Sequence, residues 1–393
     1  MTDRPVLPEA AAITVEQLEE NPAAAWAALR EVAPVAWVPA LGAWVVTDRA
    51  LAVEVMRDAE RYTVDDERFS TGAVLGENML SLDGAAHARQ RTAFAAHFRP
   101  RIVRERMEEW LPEQCRRLLA DVRSTAGDRG RAEFRRGYAG PLAVTTIAEF
   151  LGLPDSEPDD VLRWYGELSN AITDVTLGRE MSVAARHALH EVHDRVTRAV
   201  DAGDTMLAGV VAGSDLHRDE MGSATAVVLF GAIETSEGMT ANTIRHLLSS
   251  PATLKAVRAD RSLLDAVIEE SLRLEPAASV IDRYTITECA LGGVTVPEGD
   301  LVNVTLLAAN RDPAVFPDPD RFDPSRSNLR QHLTFVQGPH LCIGLHLARM
   351  ETRAALDVLL DEFDELRLVE EETDAPAGLV FRKPDRVTVS WSG

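Results

Sequence analysis

The pattern of apolar and polar positions divides the chain into three parts. Near the start, "VAPVAWVPALGAWVVTD" sets β-favouring residues on both sides of an Ala-Leu-Gly turn, which predicts a hairpin, and "RALAVEVMRDAE" behind it has helical spacing. From about residue 84 to 260 helical periods dominate, interrupted by "RSTAGDRG", "GLPDSEPDD" and "VVAGSD", whose Gly, Pro, Ser and Asp favour turns. Beyond them, "ALGGVTVPEGDLVNVTL" predicts two short strands joined at Pro-Glu-Gly-Asp, and "LVFRKPDRVTVSW" predicts a last hairpin. No internal repeat, low-complexity tract or long linker interrupts the chain. The expected fold class is mainly α (α+β): a single large helical domain over residues 1–393, with small β-sheets from the N- and C-terminal parts.

Composition narrows the partners. With 46% hydrophobic and 26% charged residues, the chain can bury a large core. A net charge of −22 speaks against nucleic acid and anionic membrane as partners. Lys255 and Lys383 are its only lysines; the other basic residues are arginines. Cys115, Cys289 and Cys342 are odd in number and form no CxxC pair, which fits a reducing compartment. The first residues lack a basic segment followed by an apolar one, and no run reaches the roughly 18 apolar residues of a membrane helix. The expectation is a cytoplasmic protein, neither exported nor anchored.

Candidate chemistry gathers in "FVQGPHLCIG", residues 335–344, which is followed by the helical pattern "LHLARMETRAALDVLLDEF". Cys342 therefore sits at a helix N-terminus, where unpaired N–H groups and the helix dipole favour a thiolate, and the flanking glycines permit a tight loop. A buried structural cysteine, a zinc site drawing on His332, His340, Cys342 and His346, and a nucleophile served by His340 are all compatible with this loop alone.

Three more pairs stand out. Glu270 and Arg273 in "EESLR" are spaced to pair along a helix. His87 and Arg91 are one turn apart beside an apolar face that continues through Ala95 and Phe98, an arrangement suited to an anion or to a plain surface pair. Glu234 and Thr235 interrupt the apolar helix "SATAVVLFGAIETSEGMTANTIRHLL"; burying an acid there costs several kcal/mol unless it is paired, so a function or a nearby arginine is required.

The loop matches F-x-x-G-x-H-x-C-x-G at Phe335, Gly338, His340, Cys342 and Gly344, and so resembles the haem-binding signature of the cytochrome P450 family. The resemblance runs from the His87 helix to the chain's end with its motifs in family order, and it implies the family's fold. It implies Cys342 as iron ligand of haem b (iron protoporphyrin IX), with Phe335, Gly338, His340 and Gly344 around it. It implies that His87, Arg91, Arg283 and His340 bind the haem propionates, and that Glu270 and Arg273 join an arginine of "FPDPDRFDPSR", taken as Arg321, in a buried structural network. "GAIET" resembles the family's oxygen-activating motif except that Ala232 stands in place of a glycine, where its methyl could narrow the oxygen groove or shift the helix kink. Glu234 is then the proton-delivery acid and Thr235 a hydrogen-bond donor to bound dioxygen.

The implied activity is that of a monooxygenase, which takes two electrons and puts one atom of dioxygen into a small hydrophobic organic substrate. Without a fused flavin or iron–sulfur module in 393 residues, the electrons come from NAD(P)H through ferredoxin reductase and ferredoxin. A basic patch of Arg99, Arg101, Arg104, Arg106, Arg330, Arg349 and Arg353 would steer an acidic ferredoxin. By family analogy the substrate pocket draws on Phe69, Val74, Leu75, Met79, Phe230, Ile233, the stretch Ala278–Ile281 with Val280, and Leu379–Phe381 with Val380. The alternative is a haem-thiolate binding or sensor protein without monooxygenase activity, which needs the cysteine loop but not Glu234 and Thr235.

Overall fold

The computed structural model describes residues 4–127, 130–153, 158–176 and 178–392. Its axis is the helix Arg218–Leu248, the long apolar segment around Glu234 and Thr235. Nearly every described residue in its C-terminal two-thirds is buried, because the segment is apolar on most sides. The helix opens with a capping box in which Glu220 accepts from the His217 backbone N–H at 2.9 Å. Around it pack the helices Gly140–Leu151, Val183–Ala202, Leu264–Leu274 and Leu345–Glu362. The result is mainly α, with one core cluster running through these helices.

Among the described residues ten strands complete the fold: β1 (Val35–Val38), β2 (Ala43–Val46), β3 (Tyr62–Thr63), β4 (Arg131–Glu133), β5 (Val280–Thr285), β6 (Cys289–Leu291), β7 (Val294–Val296), β8 (Leu301–Thr305), β9 (Leu366–Leu368) and β10 (Thr388–Trp391). The five-stranded sheet runs β1-β2-β8-β5-β3, with β2 and β8 parallel and the other neighbours antiparallel. The predicted first hairpin is β1–β2, in register Val35↔Val46 to Val38↔Ala43, and Gly42 supplies the left-handed turn residue (φ +58°). Strands from the first sixty residues thus pair with strands some 240 residues later, one sheet drawing on two distant parts of the chain.

Four sequence expectations need correction. The strands predicted on either side of Pro-Glu-Gly-Asp exist as β7 and β8, but they do not pair with each other: β7 pairs with β6, and β8 lies between β2 and β5. The last hairpin is not formed. Residues 377–383 make only the isolated bridges Ala377↔Lys383 and Ala278↔Phe381, whereas β10 pairs with β9 and with β4. Strand β4 falls in the stretch read as helix and turn, and its sequence Arg-Ala-Glu carries no β pattern; pairing with β10 makes it a strand. Finally, Glu270 and Arg273 form a fully buried bidentate pair at 2.7 and 2.8 Å, but the third member is Arg326, 3.0 Å from Glu270 Oε1. Arg321 contributes its backbone carbonyl alone, accepting from Arg273 at 3.2 Å and Arg326 at 3.0 Å.

Among the described residues no helix is long and apolar enough to cross a membrane, and no cluster of metal-ligating side chains of the kind the zinc reading requires is present.

Candidate haem and oxygen site

The loop before helix Leu345–Glu362 is closed by its own backbone: the Cys342 N–H donates to the Phe335 carbonyl at 2.9 Å. Two residues hold it against the rest of the protein. Gly338 has φ +75°, and a Cβ there would run into the Met56 carbonyl oxygen, so both conformation and close approach demand glycine. Phe335 lies under the Arg349 guanidinium, 4.4 Å from the ring centroid, and Arg349 is itself clamped by Glu269 at 2.5 and 2.9 Å. Val336 is more costly, since its φ of +54° is a conformation that β-branched residues rarely adopt. Gly344 ends the loop as the helix N-cap.

The Cys342 sulfur faces a cavity of about 1300 Å³ counted to its solvent mouth. Helix polarity alone does not leave it anionic. Burial pushes the thiol above its usual range, opposed by the Gly344 and Leu345 N–H groups and by the charges of Arg91 and Arg349. The helix terminus lowers the barrier to a thiolate without creating one; a bound cation has to supply the rest.

On the same side of the cavity, basic side chains gather around a single carboxylate, Asp83. His87 is buried, its Nε2 has no partner, and burial followed by the charges of His340 and Arg91 pushes it down to about 4. Arg91 lines the cavity and donates to the Leu341 carbonyl, and buried Arg283 donates to the Asp282 carbonyl at 2.7 Å; neither has a carboxylate partner among the described residues. His340 stacks on His87 with centroids 4.3 Å apart, but its Nε2 is bound to Asp83 Oδ1 at 2.8 Å, so only its other ring nitrogen remains for an anion. Burial opposes ionisation of Asp83, yet hydrogen bonds from His340, Thr63 and the Val64 N–H hold it at about 2. A buried arginine and a half-buried one, neither paired with a carboxylate, and an orphaned imidazole beside an apolar cavity fit a flat apolar group carrying carboxylates, as haem does.

Across the cavity runs the central helix. Its lining residues are Val227, Val228, Gly231, Ala232, Thr235, Ser236 and Met239, spaced by steps of one, three and four along one side. Thr235 donates its hydroxyl to the Gly231 carbonyl at 2.6 Å, so that proton points along the helix. Ala232 presents its methyl to the cavity, and the helix continues unbroken through it. Glu234 does not line the cavity. It pairs with Lys383 at 2.8 Å, so the base it reaches is one of the two lysines and not an arginine.

Of the expected substrate contacts, Met79 lines this cavity, as do Ala278 and Ile281 from the Ala278–Ile281 stretch. The others fall elsewhere. Val74 and Leu75 are packed in the main core, and Phe69 is half-buried outside it. Phe230 and Ile233 project from the far side of the central helix against Trp164 and Leu168. Val280 and Val380 open on a separate depression with Trp26 and Leu307, because alternate residues of β5 face opposite sides and Ile281 takes the cavity side. Leu80, Val227, Val228, Gly231, Ala277 and Leu306 were missed. Stepping back from Thr235 by helical periods would have found Val227, Val228 and Gly231, the three on its helix.

Of the expected basic patch, Arg349 is tied to Glu269 and Arg353 to Asp265 at 2.7 Å. Arg99, Arg104 and Arg330 are exposed and have no ion pair among the described residues.

A cysteine loop and a basic wall on one side of an apolar cavity, with a threonine-bearing helix opposite, fit a haem-thiolate site on a mainly helical scaffold. The cytochrome P450 family model matches residues 179–389. The chain is 34% identical to cytochrome P450 monooxygenase PikC of Streptomyces venezuelae over 83% of this chain and 79% of that protein. It is 32% identical to 6-deoxyerythronolide B hydroxylase of Saccharopolyspora erythraea over 94% and 95%. The crystal structure of CalO2 superposes with a TM-score of 0.86 at 26% identity, covering 98% of this chain and 99% of that one. The chain belongs to the cytochrome P450 family and is a haem-dependent monooxygenase. Haem supplies the redox iron at which dioxygen is activated, and electrons reach it from NAD(P)H through a redox partner.

Proposed function

We propose that residues 1–393 form a single catalytic domain, working in the cytoplasm, that hydroxylates a hydrophobic organic substrate with electrons delivered by ferredoxin from ferredoxin reductase. Cys342 is the iron ligand. Arg91 and Arg283 neutralise the propionates and neutral His87 donates a hydrogen bond to them, with His340 kept in orientation by Asp83. Phe335, Gly338 and Gly344 shape the loop. Glu234 supplies the proton and Thr235, after rotating its hydroxyl away from Gly231, donates to the oxygen substrate. The organic substrate is held by Met79, Leu80, Val227, Val228, Ala278 and Ile281, and their apolar side chains exclude water from the reacting carbon.

The observation that carries this reading is that Cys342 and Thr235 line one apolar cavity from opposite sides. The relative named for hydroxylating 6-deoxyerythronolide B supports attack on a carbon skeleton. Ferredoxin is supported by the exposed Arg99, Arg104 and Arg330, which carry no ion pair among the described residues, on a protein otherwise strongly acidic.

The visible spectrum of the reduced protein with carbon monoxide tests the ligand. The red-shifted Soret band of thiolate-ligated haem is expected in the wild type and absent in Cys342→Ala; its survival in that variant would overturn the assignment. Screening hydrophobic compounds for a spin-state shift then identifies the substrate.

A further inference from the structure

Strand β5 has a second face, and it walls a depression of its own. Ile281 turns toward the haem cavity, whereas Val280 and Asp282 turn the other way, as alternation along a strand requires. Across the antiparallel ladder Asp282 lies directly opposite Asn303 of β8, so the two side chains share that face. Together with Trp26, Leu41, Leu307 and Val380 they line a depression of about 740 Å³ counted to its solvent mouth. Trp26 and Leu307 are buried in the smaller core cluster beneath helix Pro22–Val32, while Val380 is 43% exposed.

The polar pair on this apolar face is incompletely satisfied. Asn303 Nδ2 donates to Asp282 Oδ1 at 2.8 Å, which fixes the orientation of the amide. Its Oδ1, on a residue only 8% exposed, has no hydrogen-bond partner. Among the described residues no cation pairs with the Asp282 carboxylate: the adjacent Arg283 donates to the Asp282 backbone carbonyl. Burial pushes this carboxyl above its usual range, opposed by the Asn303 hydrogen bond and the charge of Arg283. Ser279, which also lines the depression, already donates its hydroxyl to the Leu379 carbonyl at 2.6 Å. The polar atoms left over are therefore acceptors, and Asp282 is the one charged residue in the lining. A water molecule can satisfy Asn303 but cannot neutralise Asp282, and a carboxylate or phosphate would be repelled.

We propose that this depression is a second small-molecule site, separate from the haem cavity, that takes an apolar organic ammonium ion. The ammonium N–H groups donate to the Asp282 carboxylate and to Asn303 Oδ1, and the hydrocarbon part lies against Trp26, Leu41 and Val380. The ligand supplies what the depression lacks, a positive charge and hydrogen-bond donors, and its apolar part displaces water from the apolar walls. The net charge of −22 favours the approach of such a cation.

The test titrates 2-phenylethylamine, protonated at neutral pH, into the haem-loaded enzyme by calorimetry, with the Soret band recorded in parallel to report any amine that reaches the haem cavity. One molecule per chain is expected to bind without moving the Soret band, and uncharged 2-phenylethanol to bind at least about tenfold more weakly. Asp282→Asn, which keeps the size of the side chain, is expected to weaken the amine at least about tenfold. Val380→Trp, which fills the depression from its exposed side, should do the same without touching the charge. Both variants should retain the ferrous–carbon monoxide spectrum of the wild type. Absence of binding to the wild type, undiminished affinity in either variant, or equal affinity for 2-phenylethanol would overturn the proposal. So would a Soret shift that saturates together with the heat, since the amine would then occupy the haem cavity. Should Asp282→Asn not fold, Val380→Trp and the comparison with 2-phenylethanol decide the matter.

Discussion

Arg326 reaches back to Glu270, 3.0 Å from its Oε1, and closes a network in which Glu270 and Arg273 are completely buried. Glu270 accepts from Arg273, from Arg326 and from the Asp323 N–H at 2.8 Å, while Arg273 also donates to the Asn310 and Pro319 carbonyls. Removing one member leaves a buried charge without its partner. Glu270→Gln or Arg326→Met is therefore expected to destabilise the protein by about 3–5 kcal/mol, read as a lowered urea midpoint, whereas Arg321→Met should stay within about 0.5 kcal/mol because only its carbonyl takes part.

The two loop glycines should respond differently. Gly338→Ala combines a left-handed φ with a clash against the Met56 backbone, which cannot give way, and is expected to cost about 2–5 kcal/mol. Gly344→Ala has an ordinary φ of −85°, and its new methyl would lie 4.0 Å from the Cys342 sulfur. Such a protein should fold with normal far-ultraviolet dichroism but carry less haem, since the methyl enters the space beside the ligand. Equal haem content in both variants would contradict the placement of haem next to Gly344.

Glu351 sets a pH dependence. It is buried at the cavity wall with Oε1 unpartnered, and burial, weakly opposed by Thr146, pushes its carboxyl up to about 8. The folded protein holds a proton that the unfolded chain releases near the ordinary value of 4.5. The contribution of this group is thus fully favourable below that value, is lost as pH rises toward 8, and is level beyond. Glu351→Gln should flatten the decline in urea midpoint between pH 5 and 8 and be the more stable protein at pH 8, by an amount on the order of a few kcal/mol.

Ferredoxin docking can be read from charge reversal. Arg104 and Arg330 are exposed and free of ion pairs among the described residues, while Arg349 is fixed by Glu269. Arg104→Glu with Arg330→Glu is expected to slow reduction by ferredoxin about tenfold at low salt, the difference shrinking as salt rises, with spin-state titrations unchanged.

Thr235→Ala removes the hydroxyl that lies between the Gly231 carbonyl and the cavity. The share of electrons released as hydrogen peroxide should rise several-fold at unchanged substrate affinity. Unaltered coupling of electron use to product would remove Thr235 from the oxygen chemistry.

The shape of the cysteine loop was legible because its spacing is local. Gly338, His340, Cys342 and Gly344 are constrained by one tight turn at the start of one helix, so their order along the chain carries their geometry. The mainly helical body was legible for the same reason, since a helix writes its buried face at short period. Where a role depended on a distant partner, the reading slipped. Arg321 and Arg326 occur in one short loop with the same chemistry, and only its folded path decides which guanidinium meets Glu270. Phe230 and Ile233 were taken from the right helix but from its far face, and Val280 from the right strand but the wrong side of its pleat.

By itself, then, the sequence determined the fold class, the cysteine and its flanking glycines, the His87/Arg91 pair and the acid and alcohol of the central helix, all of them patterns within a few turns of backbone. Tertiary structure alone decided that β10 joins β4 and β9, which face of the central helix meets the cavity, that His340 is bound by Asp83, and that the base facing Glu234 is Lys383, 149 positions further along the chain. The physical reason is common to these cases. Pairing energy depends on distance in space, and contacts closed by long loops leave no period in the sequence to be read.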